Sequence, residues 1–201
     1  MEQAGYSSFS LKMVKQRFDL TEKKQAIFDD IPLFQPSDLL LKTLERGRRI
    51  TTLNNEKSRS EFIVAPILSE IADLNLDKIS FFSGENLDVD KAQDLTGECD
   101  YIFTLVPESS TIETPILCLV EAENDNLATG LGQCVAQMLG AQGYNLKDDV
   151  ARLRVYGCVT TGYDWQFLAL EGKTIIRNPN VYLLDNLPVI MGMMQTIIEK
   201  G

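Results

Sequence analysis

Apolar residues recur at helical spacing twice in the first half of the chain. Leu39, Leu40 and Leu44 open one run, with Ser37 or Asp38 placed to cap it, and it extends towards Leu53 before Asn54 and Asn55 mark a stop. Phe62, Ile63, Ile67, Leu68, Ile71 and Leu74 form the second run. Pro66 falls inside it, so this helix either kinks there or begins anew with proline in its first turn. Residues 1–36 are mixed: Phe9, Leu11, Met13 and Val14 suggest a short strand or a packed arm, and Pro32 and Pro36 break the chain.

From Ile79 the period shortens. Ile79-Ser-Phe-Phe-Ser reads as a strand, Gly84-Glu-Asn as a turn, Cys99–Val106 as a second strand and Ile116–Glu123 as a third, after the polar segment 107–115. Strict alternation in the third strand puts Leu117, Leu119, Glu121 and Glu123 on one face and Ile116, Cys118 and Val120 on the other. A helix follows over about 127–144, poor in bulk because of its glycines and alanines, with Gln133, Gln137 and Tyr144 on one stripe. Strands are predicted at Arg154–Thr161, Trp165–Leu170 and Thr174–Arg177, and a last helix over Leu184–Lys200 that starts after Asp185 or Asn186. The order helix, three strands, helix, strand gives an α/β protein with a mixed sheet and helices on both sides.

Composition narrows the chemistry. The 201 residues contain no histidine, which removes imidazole acid–base chemistry, Ser–His–Asp catalysis and His-based zinc sites together. Cys99, Cys118, Cys134 and Cys158 are widely spaced beside apolar residues and read as small buried hydrophobes. A net charge of −10 argues against broad electrostatic capture of nucleic acid. A local basic patch at Arg46, Arg48, Arg49, Lys57 and Arg59 is set against that, with a solvated helix face as the blander reading. No apolar run reaches the ~20 residues of a membrane span, and Glu2 opens a segment unlike a secretory signal, so a cytoplasmic location is expected.

Candidate chemistry gathers on carboxylates. Asp100 at the start of one strand and Glu121 and Glu123 at the end of the next would hold a divalent metal against a phosphate. Each also has a plain reading: Asp100 as a turn cap, the glutamates as a strand edge, Gln133 and Gln137 as a wet helix side, Glu61 as a first-turn carboxylate. Trp165 reads as core packing rather than a base-stacking platform.

Five segments taken in order resemble the PD-(D/E)XK nuclease superfamily over roughly residues 55–170. They are Ser60-Glu61 with Pro66-Ile-Leu, Gly97-Glu-Cys-Asp100-Tyr-Ile, Val120-Glu-Ala-Glu-Asn, Gly132-Gln133-Cys-Val-Ala-Gln137 and Thr160-Thr-Gly-Tyr-Asp-Trp165-Gln-Phe. More narrowly, they are similar to the nuclease-type domain at the N-terminus of type I restriction-enzyme R subunits and its stand-alone bacterial relatives. The resemblance implies a restriction-endonuclease-like mixed central sheet flanked by helices. Residues 1–54 would be an N-terminal arm and helix packed on a 55–201 core, as a single domain overall. It implies Mg²⁺ or Mn²⁺ on Asp100, Glu121 and the carbonyl of Ala122, Glu61 on the metal or its water, and Gln133 positioning substrate. By analogy it also implies a homodimer, and nucleic acid as partner despite the net charge.

The sequence departs from the family where Glu123 replaces the usual lysine. Local charge changes by two units, and like carboxylates this close raise one another's pKa by ~1 unit or more unless a cation lies between them. Glu123 would then serve as general base or further metal ligand. Positions 92–146 hold no Lys or Arg, which leaves Arg59 or Lys147 to supply a cation. Two functions follow from the resemblance: a metal-dependent phosphodiesterase acting on DNA, or a catalytically inactive nuclease-fold binding or regulatory protein of a restriction or defence system.

Overall fold

The computed structural model describes residues 5–148 and 154–200 and builds them around one mixed seven-stranded sheet with helices on both faces. After a 3-10 turn at Tyr6–Ser8 come α1 (Leu11–Phe18), β1 (Thr21–Lys24) and α2 (Asp38–Ile50). A continuous helical segment follows, α3 (Glu56–Arg59) running through a π-helical turn at Ser60–Val64 into α4 (Ala65–Asp73). Then come β2 (Ser80–Asn86), β3 (Glu98–Thr104), β4 (Ile116–Ala122), α5 (Leu127–Lys147), β5 (Arg154–Thr160), β6 (Asp164–Glu171), β7 (Thr174–Leu183) and α6 (Leu187–Lys200). The spatial order is β1-β7-β6-β5-β4-β3-β2. Among the described residues only β4–β5 and β1–β7 pair in parallel, and α5 lies in the crossover between β4 and β5.

Local chemistry explains where the elements differ from expectation. The Phe9–Val14 stretch is not a strand but the entry to α1, because the Ser10 hydroxyl accepts from the Met13 N–H at 3.3 Å and caps a helix. α2 stops at Ile50, short of Leu53. Pro66 stands in the first turn of α4, as the second of the two readings had it. A π turn, in which the Ala65 N–H donates to the Ser60 carbonyl, takes up the distortion one residue ahead of it. β2 continues through Gly84–Asn86, where a turn was expected: Gly84 at φ 68° is skipped in the ladder, but the register with β3 is unchanged on either side of it. β7 runs to Leu183 rather than Arg177. Pro179 is tolerated there because β1 pairs only as far as Arg177 and the β6–β7 register shifts between Arg177 and Val181, so no ladder bond is asked of it.

The alternation expected of β4 is also corrected. Phe103 pairs with Cys118 but Thr104 pairs with Ile116, so Leu117 is an extra, bulged residue. Leu117 therefore packs with Cys118 and Val120 against α4 and α6, while Ile116 joins Leu119 on the α5 side. Glu121 keeps the α5-facing phase. Trp165 is completely buried, and its indole N–H donates to the Gly162 carbonyl at 3.2 Å. All four cysteines are free and buried, as their apolar neighbours suggested. Among the described residues no helix is long and apolar enough to cross a membrane.

α5 lies unusually close to its neighbours. A Cβ on Gly132 would sit 2.1 Å from the Phe9 carbonyl oxygen and 2.4 Å from the Ser10 carbonyl carbon, both backbone atoms. Gly132→Ala should therefore force α1 away from α5 and lower unfolding stability by about 2–3 kcal/mol, read as a shift of the denaturant midpoint.

Candidate functional site

β3 and β4 run antiparallel with Tyr101 opposite Val120, a register that sets Asp100 beside Glu121. Glu123 follows directly on β4 and its N–H donates to the Thr160 carbonyl at 2.7 Å, which ties it to the end of β5. α5 starts four residues later, with the Asn126 side chain accepting from the Ala128 N–H at 2.9 Å. Strand ends and helix start thus meet around a cavity of about 510 Å³. Glu56, Asp88, Glu98, Asp100, Glu121 and Glu123 all line it, together with Lys91, Ala122, Gln133 and the segment Gly5–Ser7.

Glu121 is the deepest of these groups, 4 % exposed. Both of its oxygens are occupied: Gln133 Nε2 donates to Oε1 at 2.5 Å and Gln137 Nε2 donates to Oε2 at 2.7 Å. Burial pushes its carboxyl well above the usual range, the Asp100 charge adds to the rise, and the Gln137 amide opposes it. The Oε1 of Gln137, itself fully buried, finds no partner among the described residues. Asp100 accepts the Ala122 N–H on Oδ2 at 2.7 Å, and burial raises its carboxyl to about 6 despite that bond. Glu123 is raised as well, first by burial, while the Thr129 hydroxyl donates to Oε2 at 2.9 Å and works against the shift. Its side chain lies across Gly130, where a Cβ would come within 2.6 Å of Glu123 Cγ and Oε1.

The structure brings together Asp100, Glu121, Ala122, Glu123 and Gln133, and adds Gln137 behind them. Glu61 falls outside this cavity. Its carboxylate is 55 % exposed, lies 3.7 Å from Lys57, and lines a side groove that reaches Asp100 from the other direction. Glu56 lines the cavity instead. It sits in the first turn of α3, immediately after Asn55, whose side chain accepts from the Ser58 N–H in a capping box. The Asn-Glu-x-Ser pattern was visible in the sequence, but nothing in it fixed which turn of the helix faces the strands.

Neither expected cation reaches the cavity. Arg59 is 6 % exposed and holds the β4–α5 connection: it donates to the Leu53 carbonyl at 3.2 Å, to the Asn124 carbonyl and side chain, and to Asp125. Lys147 donates to the Val89 carbonyl at 2.8 Å. The cation lining the cavity is Lys91, in a 3-10 turn capped by Asp90, and it takes part in no ion pair among the described residues. Sequence reasoning passed over it because the β2–β3 connection gives no periodic signal of where it folds.

The donors around the cavity are all hard oxygens, which suits Mg²⁺ or Mn²⁺ over softer metals. Among the described residues, no three His, Cys, Asp or Glu side chains lie close enough to hold an ion as they stand. Compared with known proteins, the chain matches no family model, no curated protein and no solved structure.

The raised Asp100 carboxyl has a definite consequence for stability. Its folded pKa of about 6 exceeds the ordinary value of 3.8, so between about pH 4 and 6 the folded protein binds more protons than the unfolded chain. Stability therefore falls as pH rises through that window, by up to about 3 kcal/mol from this group. Asp100→Asn should be the more stable protein near pH 7.5 and lose its advantage near pH 4. Denaturation curves of both proteins at the two pH values check this. A pH-independent difference would mean that Asp100 is not desolvated.

Proposed function

We propose that the chain is a PD-(D/E)XK-type, restriction-endonuclease-like protein, a metal-dependent phosphodiesterase that acts on DNA with Glu123 where a lysine is usual. One observation carries the reading: Asp100 and Glu121 reach a single cavity from neighbouring strands, with Gln133 of the following helix on its wall. The order α3/α4, β2, β3, β4, α5, β5 within the sheet supports the same fold.

Asp100, Glu121 and the Ala122 carbonyl would hold Mg²⁺ or Mn²⁺, with Glu56 nearer than Glu61 to serve the ion or its water. When bound, such an ion neutralises charge on a phosphodiester and lowers the pKa of water. The chain's residues do the rest. Gln137, fully buried, fixes one oxygen of Glu121, whereas Gln133 lies at the cavity wall and is the amide whose departure frees the other. Glu123, held by Thr129 against Gly130, is placed to take a proton from water. Lys91 is the group on the wall that can offset phosphate charge.

A second reading, an inactive nuclease-fold binding or regulatory protein of a restriction or defence system, draws on one feature: Glu121 has both oxygens already satisfied. The two readings part in a single experiment. Purified protein is incubated with plasmid, single-stranded DNA and RNA plus Mg²⁺ or Mn²⁺, beside Asp100→Ala and Glu121→Ala. Metal-dependent cleavage that both variants abolish is expected. No cleavage and no metal uptake by calorimetry would leave the inactive reading. Glu123→Lys should weaken cation binding, and unchanged affinity would show that Glu123 plays no part in it.

A further inference from the structure

The charge of this chain is unevenly divided. Residues 42–59 hold six of its 19 Lys and Arg against two carboxylates, Glu45 and Glu56, whereas the remaining residues hold 13 cations against 27 carboxylates. One stretch of 18 residues thus carries net +4 and everything else net −14.

The fold keeps that stretch exposed. Leu40, Leu44 and Gly47 form the face of α2 that packs on the core, and Gly47 approaches Phe62 so closely that a Cβ would lie 3.1 Å from its Cβ. Lys42, Arg46 and Arg49, at steps of four and three, fall on the opposite face, while Arg48 lies on a flank between that face and the core. All four are exposed, and none is in an ion pair among the described residues. The helix dipole accounts for cations in the last turn, Arg48 and Arg49, but not for Lys42 and Arg46 further back.

Position gives the patch a purpose. From Ile50 at the end of α2 to Glu56 is six residues, a reach of at most about 20 Å. Glu56 and the exposed Lys57 line the groove that leads to Asp100 and Ala122. A strand carrying one phosphate per ~3.4 Å spans that distance with about six phosphates. Such a strand is repelled by the ionised carboxylates lining the cavity, so its affinity has to come from cations outside it.

We infer that Lys42, Arg46, Arg48, Arg49 and Lys57 form a docking track for the phosphate backbone of a nucleic-acid strand leading to the acidic cavity. The track rests on the phosphodiesterase reading for its purpose, but its binding does not require cleavage.

Fluorescence anisotropy with a labelled oligonucleotide of about 20 nucleotides, single-stranded and duplex, in EDTA, tests it without turnover. The wild-type chain should bind the single strand with log K falling against log salt at a slope of about −3.5, the value for five neutralised phosphates. Arg46→Glu/Arg48→Glu/Arg49→Glu should weaken binding at least about 10-fold at low salt and bring the slope to about −1.4. A charge-matched control at three exposed lysines elsewhere, Lys12→Glu/Lys24→Glu/Lys78→Glu, should change affinity by less than about 2-fold. If the glutamate set melts early, Arg46→Gln/Arg48→Gln/Arg49→Gln takes its place with helix propensity preserved.

Equal weakening by the two sets, or no wild-type binding at low salt, overturns the track. Cleavage that the triple variant leaves unchanged also overturns it while the phosphodiesterase reading stands. Arginine-dependent binding without any cleavage has the opposite effect on the two.

Discussion

A carboxylate almost shut off from water at the end of a central strand is the constraint around which this protein is arranged. Glu121 can be kept there because two amide groups from one helix meet its two oxygens. For Gln133 and Gln137 to do so, α5 has to run close against β4 and β5. Small residues on both sides make that approach feasible: Gly157 on β5 lies under Met138 and Cys134, and Gly140 receives the Tyr6 ring. The weak helix propensity of α5 is offset by packing, since most of its length is buried.

The same closeness organises the wall of the cavity. With α5 against the sheet, its first turn lies beside the ends of β4 and β5, and Gly130 leaves the space that Glu123 fills. Arg59 secures the connection from outside by bridging the Leu53 carbonyl and Asn124. The guanidinium that looked available for chemistry is committed to architecture, while a lysine from an irregular connection stands at the cavity. Negative charge is thereby concentrated on one spot of the molecule, and the low-dielectric surroundings of Glu121 and Asp100 favour their neutral forms.

Much of this was legible in the residues. Periodicity located the long helices and the strands β3 to β6 to within a few positions, since each buries a regular face. A step of four put Gln133 and Gln137 on one stripe of the helix, but that both amides bond to Glu121 emerged only from the fold. What escaped depended on tertiary detail. The bulge at Leu117 leaves no mark in an all-apolar strand, because either phase buries a hydrophobe. α1 is short and carries Lys12, Lys15 and Arg17 among its apolar residues, which blurs its period. Glu61 and Glu56 are both acidic residues near one helix start, and only the fold shows that Glu56 lines the cavity while Glu61, inside the π turn, does not.

The parallel pairing of β4 with β5 has a further meaning for how this molecule can change. The cavity draws on β3, β4, the helix entries beside them and the loops, and on nothing from β1, β6, β7 or α6. Half of the sheet therefore serves as a foundation, free to drift in sequence so long as it stays packed. Novelty in what the protein touches would be gained there at little risk to the acidic cleft.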